Sequence, residues 1–363
     1  MKILTLTNCP LNPGSGSGKT VLKFTEGLRN LGHEVDVLEP EDFEPLSFLK
    51  RAKSWRQAWG AREVARRKIG QKFYDLVEFY GGEFWWAASF LEKKQGRPFL
   101  VAHTNGLEFL VPEEGPVSWP RRCYQKQQKK VWQDTDFFVS LCRADRNAVI
   151  EKGFYDAERT AVVEPGLDEA YLSLPFETQR GHRVAFTGTW IERKGIRALA
   201  AVMSRLLSEH PVLELDLYGT SVPAEKVLND FPADLRDKIH AHPVLPVWEM
   251  IRSLCATKVF FFPSRYEGFG MALAEAMACG CAAVTTPTGF GAGLKNNEEA
   301  IVCDFEDTDA MTQALNRLLT QDVARESMGR AGQKRVQGLN WKHAAAQLAS
   351  LYERWTVSEG FFG

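Results

Sequence analysis

Two glutamates, Glu267 and Glu275, stand in the densest chemical segment of the chain, Pro263-Ser264-Arg265-Tyr266-Glu267-Gly268-Phe269-Gly270-Met271-Ala272-Leu273-Ala274-Glu275-Ala276-Met277-Ala278-Cys279-Gly280. A very apolar run, Val259 to Phe262, enters a loop with two glycines, and an alanine-rich helix is expected from near Gly270 to Gly280. Glu267 then lies on the loop and Glu275 on the helix, where a carboxylate is costly to bury without a partner. Ionised carboxylates only accept hydrogen bonds, which suits the hydroxyls of a sugar or ribose. A helix opening at Gly270 and Met271 offers amide donors to a phosphate. A capping loop with a surface glutamate is the alternative these residues leave open.

Cations stand in a second loop, Gly188-Thr189-Trp190-Ile191-Glu192-Arg193-Lys194-Gly195, which follows a strand candidate and opens a helix. Arg193 brings a planar fork and Lys194 a point charge, the two common ways of holding phosphate oxygens. A solvated charged turn fits the spacing equally well. Near the amino terminus, Gly14-Ser15-Gly16-Ser17-Gly18-Lys19-Thr20 invites a P-loop reading, but Pro13 occupies the position of that motif's first glycine. A glycine-rich loop entering a helix still suits an anion, because small residues let backbone N–H groups approach it. A plain tight turn remains the other reading.

The elements that must position these loops alternate regularly. Ile3, Leu4 and Leu6 precede the glycine loop; Val21, Leu22, Phe24, Leu28 and Leu31 recur at helical spacing; Gly32 stops that helix and Val35 to Leu38 resume a strand. Asp75–Phe79, Phe99–Ala102, Phe137–Ser140 and Ala161–Val163 continue the alternation, the pattern of a parallel sheet covered on both faces. Around 171–182 the pattern lapses into a polar stretch that reads as a linker. A second series then begins with Arg183–Thr187, Leu213–Tyr218, Lys258–Phe262 and Ala282–Thr285, with a further strand around His240 and His242 and two helices over 308–337. The expectation is two α/β domains in series, and two open parallel sheets facing each other would put a ligand cleft between them.

Composition narrows the function. A chain of 363 residues exceeds the usual single domain, and its 44% hydrophobic and 25% charged residues are those of a globular protein. Forty-five basic against 46 acidic residues leave a net charge of -1, so no global field recommends nucleic acid as a partner. Seven cysteines are too sparse for a disulfide scaffold, and a reducing, cytoplasmic setting is the simplest expectation. Cys279 and Cys281 lack a second cluster at zinc-ligand spacing and read as small buried hydrophobes, so no metal is assigned. The opening apolar run is too short for a signal peptide, and no stretch approaches the roughly 18 apolar residues of a membrane span.

Residues 50–72 carry nine Lys or Arg against one acid, Glu63, with Trp55 and Trp59 interleaved. Such a helix can lie on an anionic membrane surface or attract an anionic acceptor, or can be an ordinary solvated face. Arg121, Arg122, Lys126, Lys129 and Lys130 form a second basic cluster in the same half. The last helix, from Asn340-Trp341-Lys342-His343 through Leu348, Leu351, Tyr352 and Trp355, is amphipathic with an aromatic finish.

The Glu-x7-Glu pair within Glu-Gly-Phe-Gly, the Lys194-Gly195 turn, the amino-terminal glycine loop followed by Gly32-His33-Glu34-Val35, and Glu164-Pro165-Gly166-Leu167-Asp168 together resemble the retaining GT-B glycosyltransferases of glycosyltransferase family 4. The resemblance spans nearly the whole chain. It implies an α/β GT-B fold of two Rossmann-like domains across a cleft: residues 1–172 binding the acceptor, 173–340 binding the nucleotide sugar, and a terminal helix, 341–363, crossing back to the first domain. It implies transfer with retention from a nucleotide-diphosphate sugar to a hydroxyl acceptor, sugar or lipid-linked, with no metal or other cofactor and no nucleic acid.

The same resemblance implies roles. Glu267 would approach the donor sugar and Glu275 the ribose. Gly268, Phe269, Gly270 and Met271 would present backbone groups to sugar and phosphates, Gly16 would close over the diphosphate, and Lys194 would neutralise it on departure. Many members carry Arg after the glycine matching Gly188; Thr189 stands there in this chain, and Arg193 is the expected replacement. A histidine near the anomeric carbon corresponds to His103 in Ala102-His103-Thr104-Asn105-Gly106, or to Asn105 under a shifted alignment. A sugar-nucleotide epimerase or phosphorylase, a non-catalytic carbohydrate- or membrane-binding protein, and a kinase built on the Lys19 loop are the rival readings.

Overall fold

The computed structural model describes residues 1–14, 16–44, 52–111 and 118–358. The chain divides into two compact units. The first comprises Met1–Phe109, Glu113–Gly166 and Trp341–Gly363, the second Leu110–Pro112 and Leu167–Asn340.

The first unit is built on a six-stranded parallel sheet of β1 (Lys2–Thr7), β2 (Glu34–Leu38), β3 (Leu76–Tyr80), β4 (Phe99–His103), β5 (Phe137–Ser140) and β6 (Thr160–Val162), in the order β2-β1-β3-β4-β5-β6. Strands β3, β4 and β5 are buried at every position, as sheets covered on both faces must be. Helix Gly16–Asn30 turns Val21, Phe24 and Leu28 inward, while Leu31 falls outside it and is exposed. That helix packs on the terminal helix Trp341–Ser358. Gly27 makes the approach possible, since a Cβ there would stand 2.3 Å from the Ala345 Cβ. Phe24 meets Trp341 edge-on at 5.6 Å.

The second unit carries β7 (Gly181–Thr187), β8 (Glu214–Tyr218), β9 (Ile239–His242), β10 (Thr257–Phe262), β11 (Ala282–Thr285) and β12 (Ile301–Val302), again all parallel, in the order β12-β11-β10-β7-β8-β9. Strand β12 spans only two residues, too few to leave a periodic trace in the sequence. Helices Thr308–Thr320 and Asp322–Val336 fill the expected stretch, the first capped by the Asp307 carboxylate accepting from the Ala310 N–H at 2.8 Å.

The stretch 171–182 differs from its linker reading. Helix Glu169–Leu172 buries Tyr171, and β7 begins at Gly181. Between them, Arg180 donates to the carbonyls of Leu254, Thr257 and Cys279, and the Phe176 ring lies 4.1 Å from the Arg330 guanidinium. Its polarity serves orphan carbonyls of the second unit rather than solvent.

Candidate active site

In each sheet the chain builds outward from its first strand in one direction, then returns to build in the other. The reversal lies between β1 and β3 in the first unit and between β7 and β10 in the second. Carboxyl ends flanking such a reversal are where open α/β sheets bind ligands, because the connections leave to opposite faces and open a crevice. The loops singled out by chemistry alone are those that follow β1, β7 and β10.

After β7 the chain passes Gly188, makes a 3-10 turn over Glu192–Lys194, and enters helix Ile196–Glu209 through Gly195. Gly195 has φ 73°, and a Cβ there would stand 1.9 Å from the Pro263 carbonyl oxygen. Only glycine lets the cationic turn press against the β10 loop. The Lys194 ammonium reaches the Glu267 carboxylate at 2.7 Å and lies 5.1 Å from the Phe262 ring centre. Arg193 donates to the Tyr266 carbonyl at 3.1 Å, with its guanidinium 4.0 Å from the other Glu267 oxygen. In return, the Arg265 N–H donates to the Arg193 carbonyl at 2.9 Å. Arg193 and Lys194 therefore converge on one nearly buried carboxylate, whereas Thr189 is exposed.

Beyond Glu267, Gly270 has φ 93° and serves as N-cap of helix Met271–Ala278, its carbonyl accepting from the Leu273 N–H at 3.0 Å. Glu275 is half-buried on this helix, close enough to add to the burial that raises the Tyr171 hydroxyl far above its usual range. Gly268, Phe269 and Gly270 are buried, and Met271 is half-buried.

A third loop, absent from the sequence reading, holds this segment from behind. The Phe290 N–H donates to the Phe269 carbonyl at 2.6 Å, and a Cβ on Gly289, φ 52°, would meet that same oxygen at 2.4 Å. The Thr286 hydroxyl donates to the Ser264 carbonyl at 2.5 Å. The available signal was the glycine-rich run Gly289-Phe290-Gly291-Ala292-Gly293 directly after β11. Two buried hydroxyls, on Thr187 and Ser264, have no hydrogen-bond partner among the described residues.

In the first unit, Gly16 opens helix Gly16–Asn30 and is exposed, with nothing near where its Cβ would be; Ser15 lies outside the described residues. His103 ends β4 and is turned into the protein, 1% exposed. Its Nε2 lies 2.7 Å from the Tyr352 hydroxyl of the terminal helix, its ring stacks on Tyr80 at 4.2 Å between centres, and burial lowers its pKa to about 3. Asn105, two residues on, is half-buried and its Oδ1 has no partner among the described residues. His240 faces Glu214 at 3.5 Å and His242 faces Asp216 at 2.9 Å, both on strands of the second sheet.

Much of the expected basic helix charge is paired within the unit. On helix Lys53–Gln71, Arg56 meets Glu44, while Arg62 and Arg66 meet Glu63; just past its end, Lys72 meets Glu34 and Asp36. Lys50 and Arg51 lie outside the described residues. Trp55 and Trp59 are 40% and 45% exposed, and Trp55 also packs edge-on against Trp85. The second cluster lies on helix Trp119–Gln128 and the turn after it. There Arg122, Lys126, Lys129 and Lys130 line a surface hollow of about 530 Å³ together with Gln125, Gln127 and Gln133. Among the described residues no helix is long and apolar enough to cross a membrane.

Residues 181–321 match the family described as Glycosyl transferases group 1, and residues 15–166 match the Glycosyl transferase 4-like domain. An MMP alpha-(1->4)-mannosyltransferase from Mycolicibacterium hassiacum is 26% identical over 98% of this chain and 98% of its own length. A D-inositol 3-phosphate glycosyltransferase from Salinispora tropica is 24% identical over 80% of this chain and 66% of its own. The same fold is seen in sucrose-phosphate synthase from Thermosynechococcus elongatus, at TM-score 0.79 and 20% identity over 98% of this chain and 99% of that one. Anabaena HepE in complex with UDP and glucose superposes at TM-score 0.71 and 15% identity over 96% and 98%.

Proposed function

We propose a reaction for this chain on the premise that it belongs to the group 1 glycosyl transferases and is a glycosyltransferase of the GT-B fold. It moves a sugar from a nucleotide-diphosphate donor to a hydroxyl of an acceptor, with retention at the anomeric carbon. The observation that carries the reading is the Lys194–Glu267 pair, with Arg193 beside it, at the reversal point of the second sheet.

Each side chain has a task its chemistry suits. The diphosphate takes Lys194 and Arg193 as counter-charges, and Glu267, released from Lys194, accepts from hydroxyls of the sugar. Gly268 to Met271 bring amides and the helix N-terminus to the phosphates, and Glu275 accepts from the ribose. As the glycosidic bond breaks, negative charge grows on the departing diphosphate. Cations and dipoles already in place stabilise it without reorganising, which is the largest share of many enzymes' advantage. The acceptor oxygen bonds to the anomeric carbon from the face the diphosphate leaves, and the departing phosphate oxygen takes that hydroxyl's proton, so no separate base is required and configuration is retained. With Arg193 and Lys194 supplying positive charge, turnover is expected to persist in EDTA.

Gly16 is kept as a second point of phosphate approach, and His103 or Asn105 as the contribution of the β4 end to the reacting sugar. The hollow lined by Arg122, Lys126, Lys129 and Lys130 favours an anionic acceptor, free or displayed on a membrane surface. Relatives named as a mannosyltransferase and an inositol-phosphate glycosyltransferase make hexose donors and phosphorylated acceptors the first to try.

The test is a thermal-shift screen of UDP-, GDP- and ADP-sugars, since a ligand of the folded state raises its melting point by mass action. The stabilising donor is then incubated with phosphorylated sugar and inositol acceptors, with and without EDTA, and the product anomer is read by NMR. Donor conversion without any acceptor would instead indicate an epimerase. Binding without turnover on any acceptor would indicate a non-catalytic scaffold.

A further inference from the structure

Glu78 lies at the centre of β3, in the interior of the first sheet and 1% exposed. Both its carboxyl oxygens accept. The Thr5 hydroxyl, from β1, donates to Oε2, and the Tyr352 hydroxyl, from the terminal helix, donates to Oε1. Tyr352 is fully buried and its oxygen is also 2.7 Å from Nε2 of His103, whereas His103 and Glu78 themselves stand 3.6 Å apart. A phenol has one proton. If Tyr352 spends it on Glu78, its oxygen can only accept from His103, so Nε2 must carry the imidazole proton and Nδ1 must carry the lone pair.

We infer that Glu78 and Tyr352 are positioning residues that hold His103 in its Nε2–H tautomer, leaving Nδ1 as the ring's one acceptor at the end of β4. The inference rests on the reading that this strand end serves the reacting sugar. Because the ring is only 1% exposed, its neighbours rather than bulk solvent impose the tautomer. Stacking on Tyr80 fixes the ring plane as well. The consequence is a histidine that accepts a hydrogen bond and orients, and does not donate a proton. Its depressed pKa agrees with a ring that stays neutral near pH 7.

The experiment is ¹⁵N NMR of the full chain labelled at histidine, with the His103 signals assigned by their loss in His103→Gln. The wild type is expected to show Nε2 protonated and Nδ1 unprotonated. Tyr352→Phe and Glu78→Gln are expected to move His103 toward a mixture or the Nδ1–H form, lowering kcat by about tenfold or more while the donor KM stays within about twofold. Thr5→Val, which unseats only Oε2, is expected to keep the wild-type tautomer and so separates the relay from general loosening of the core. An Nδ1–H ring in the wild type, or an unchanged tautomer in a folded Tyr352→Phe protein, overturns the inference. Wild-type turnover by His103→Gln, with the tautomer responding as expected, would overturn only the role of the β4 end in sugar transfer.

Discussion

Lys194 and Glu267, 73 residues apart in sequence, hold each other at 2.7 Å across the ends of β7 and β10. The pair is poised rather than spent. The glutamate is 6% exposed and would be costly to leave alone, yet both groups are those a sugar diphosphate would engage separately. In the proposed reaction, donor binding would be an exchange of partners: the ammonium would pass to phosphate and the carboxylate to sugar hydroxyls.

Removing one member should therefore hurt twice. Lys194→Ala is expected to lower transfer by about 10²–10³-fold, the usual loss when one preorganised charge is taken from a developing anion. It should also cost roughly 1–3 kcal/mol of folding stability by leaving Glu267 unsatisfied. The double variant Lys194→Ala with Glu267→Gln should recover part of the stability and none of the activity, as read by urea unfolding and product formation. Wild-type turnover in Lys194→Ala would count against the site.

Two glycines offer a contrast. Gly195→Ala must move the Pro263 carbonyl and strain a left-handed backbone, so the second unit is expected to lose about 2 kcal/mol or more and transfer should fall with it. Gly16→Ala meets open space and should leave the melting point unchanged. If phosphate approaches the backbone there, donor KM alone rises, and steady-state kinetics on the two variants make the comparison.

Glu275→Ala is expected to weaken nucleotide affinity by about 10–100-fold, the worth of a hydrogen bond to a charged acceptor. Titration calorimetry with the preferred nucleoside diphosphate and its 2′,3′-dideoxy form checks this. The wild type should discriminate between them and the variant should not.

Acid should weaken the first unit through His103. Its folded pKa is about 3, against 6.5 for an ordinary histidine, so below about pH 6.5 the unfolded chain takes up a proton that the folded one refuses. Stability is then lost as pH falls from 6.5 toward 3, by roughly 1.4 kcal/mol per unit from this group. Burial raises the Glu78 pKa, which acts in the opposite sense, since the folded state keeps that proton as pH rises past the ordinary carboxyl value. Urea midpoints at pH 7 and pH 5 should converge in His103→Gln.

Local chemistry was open to reading from residues alone. Strands β1 to β8, β10 and β11 announced themselves as apolar or alternating runs, and the loops of Lys194 and Glu267 by cations, carboxylates and glycines directly after such runs. These signals are short-range: a strand-length apolar run and a turn need only their own few residues. Strand order is not of that kind. That β7 lies beside β10, making Lys194 and Glu267 partners, follows from which faces of the sheet must be covered, a property of the whole unit. The same holds for His103, whose orientation depends on Tyr352, 249 residues away. Its motif marked the end of a strand, but only packing of the terminal helix decided that the ring turns inward, because a buried nitrogen goes where a buried hydroxyl can meet it.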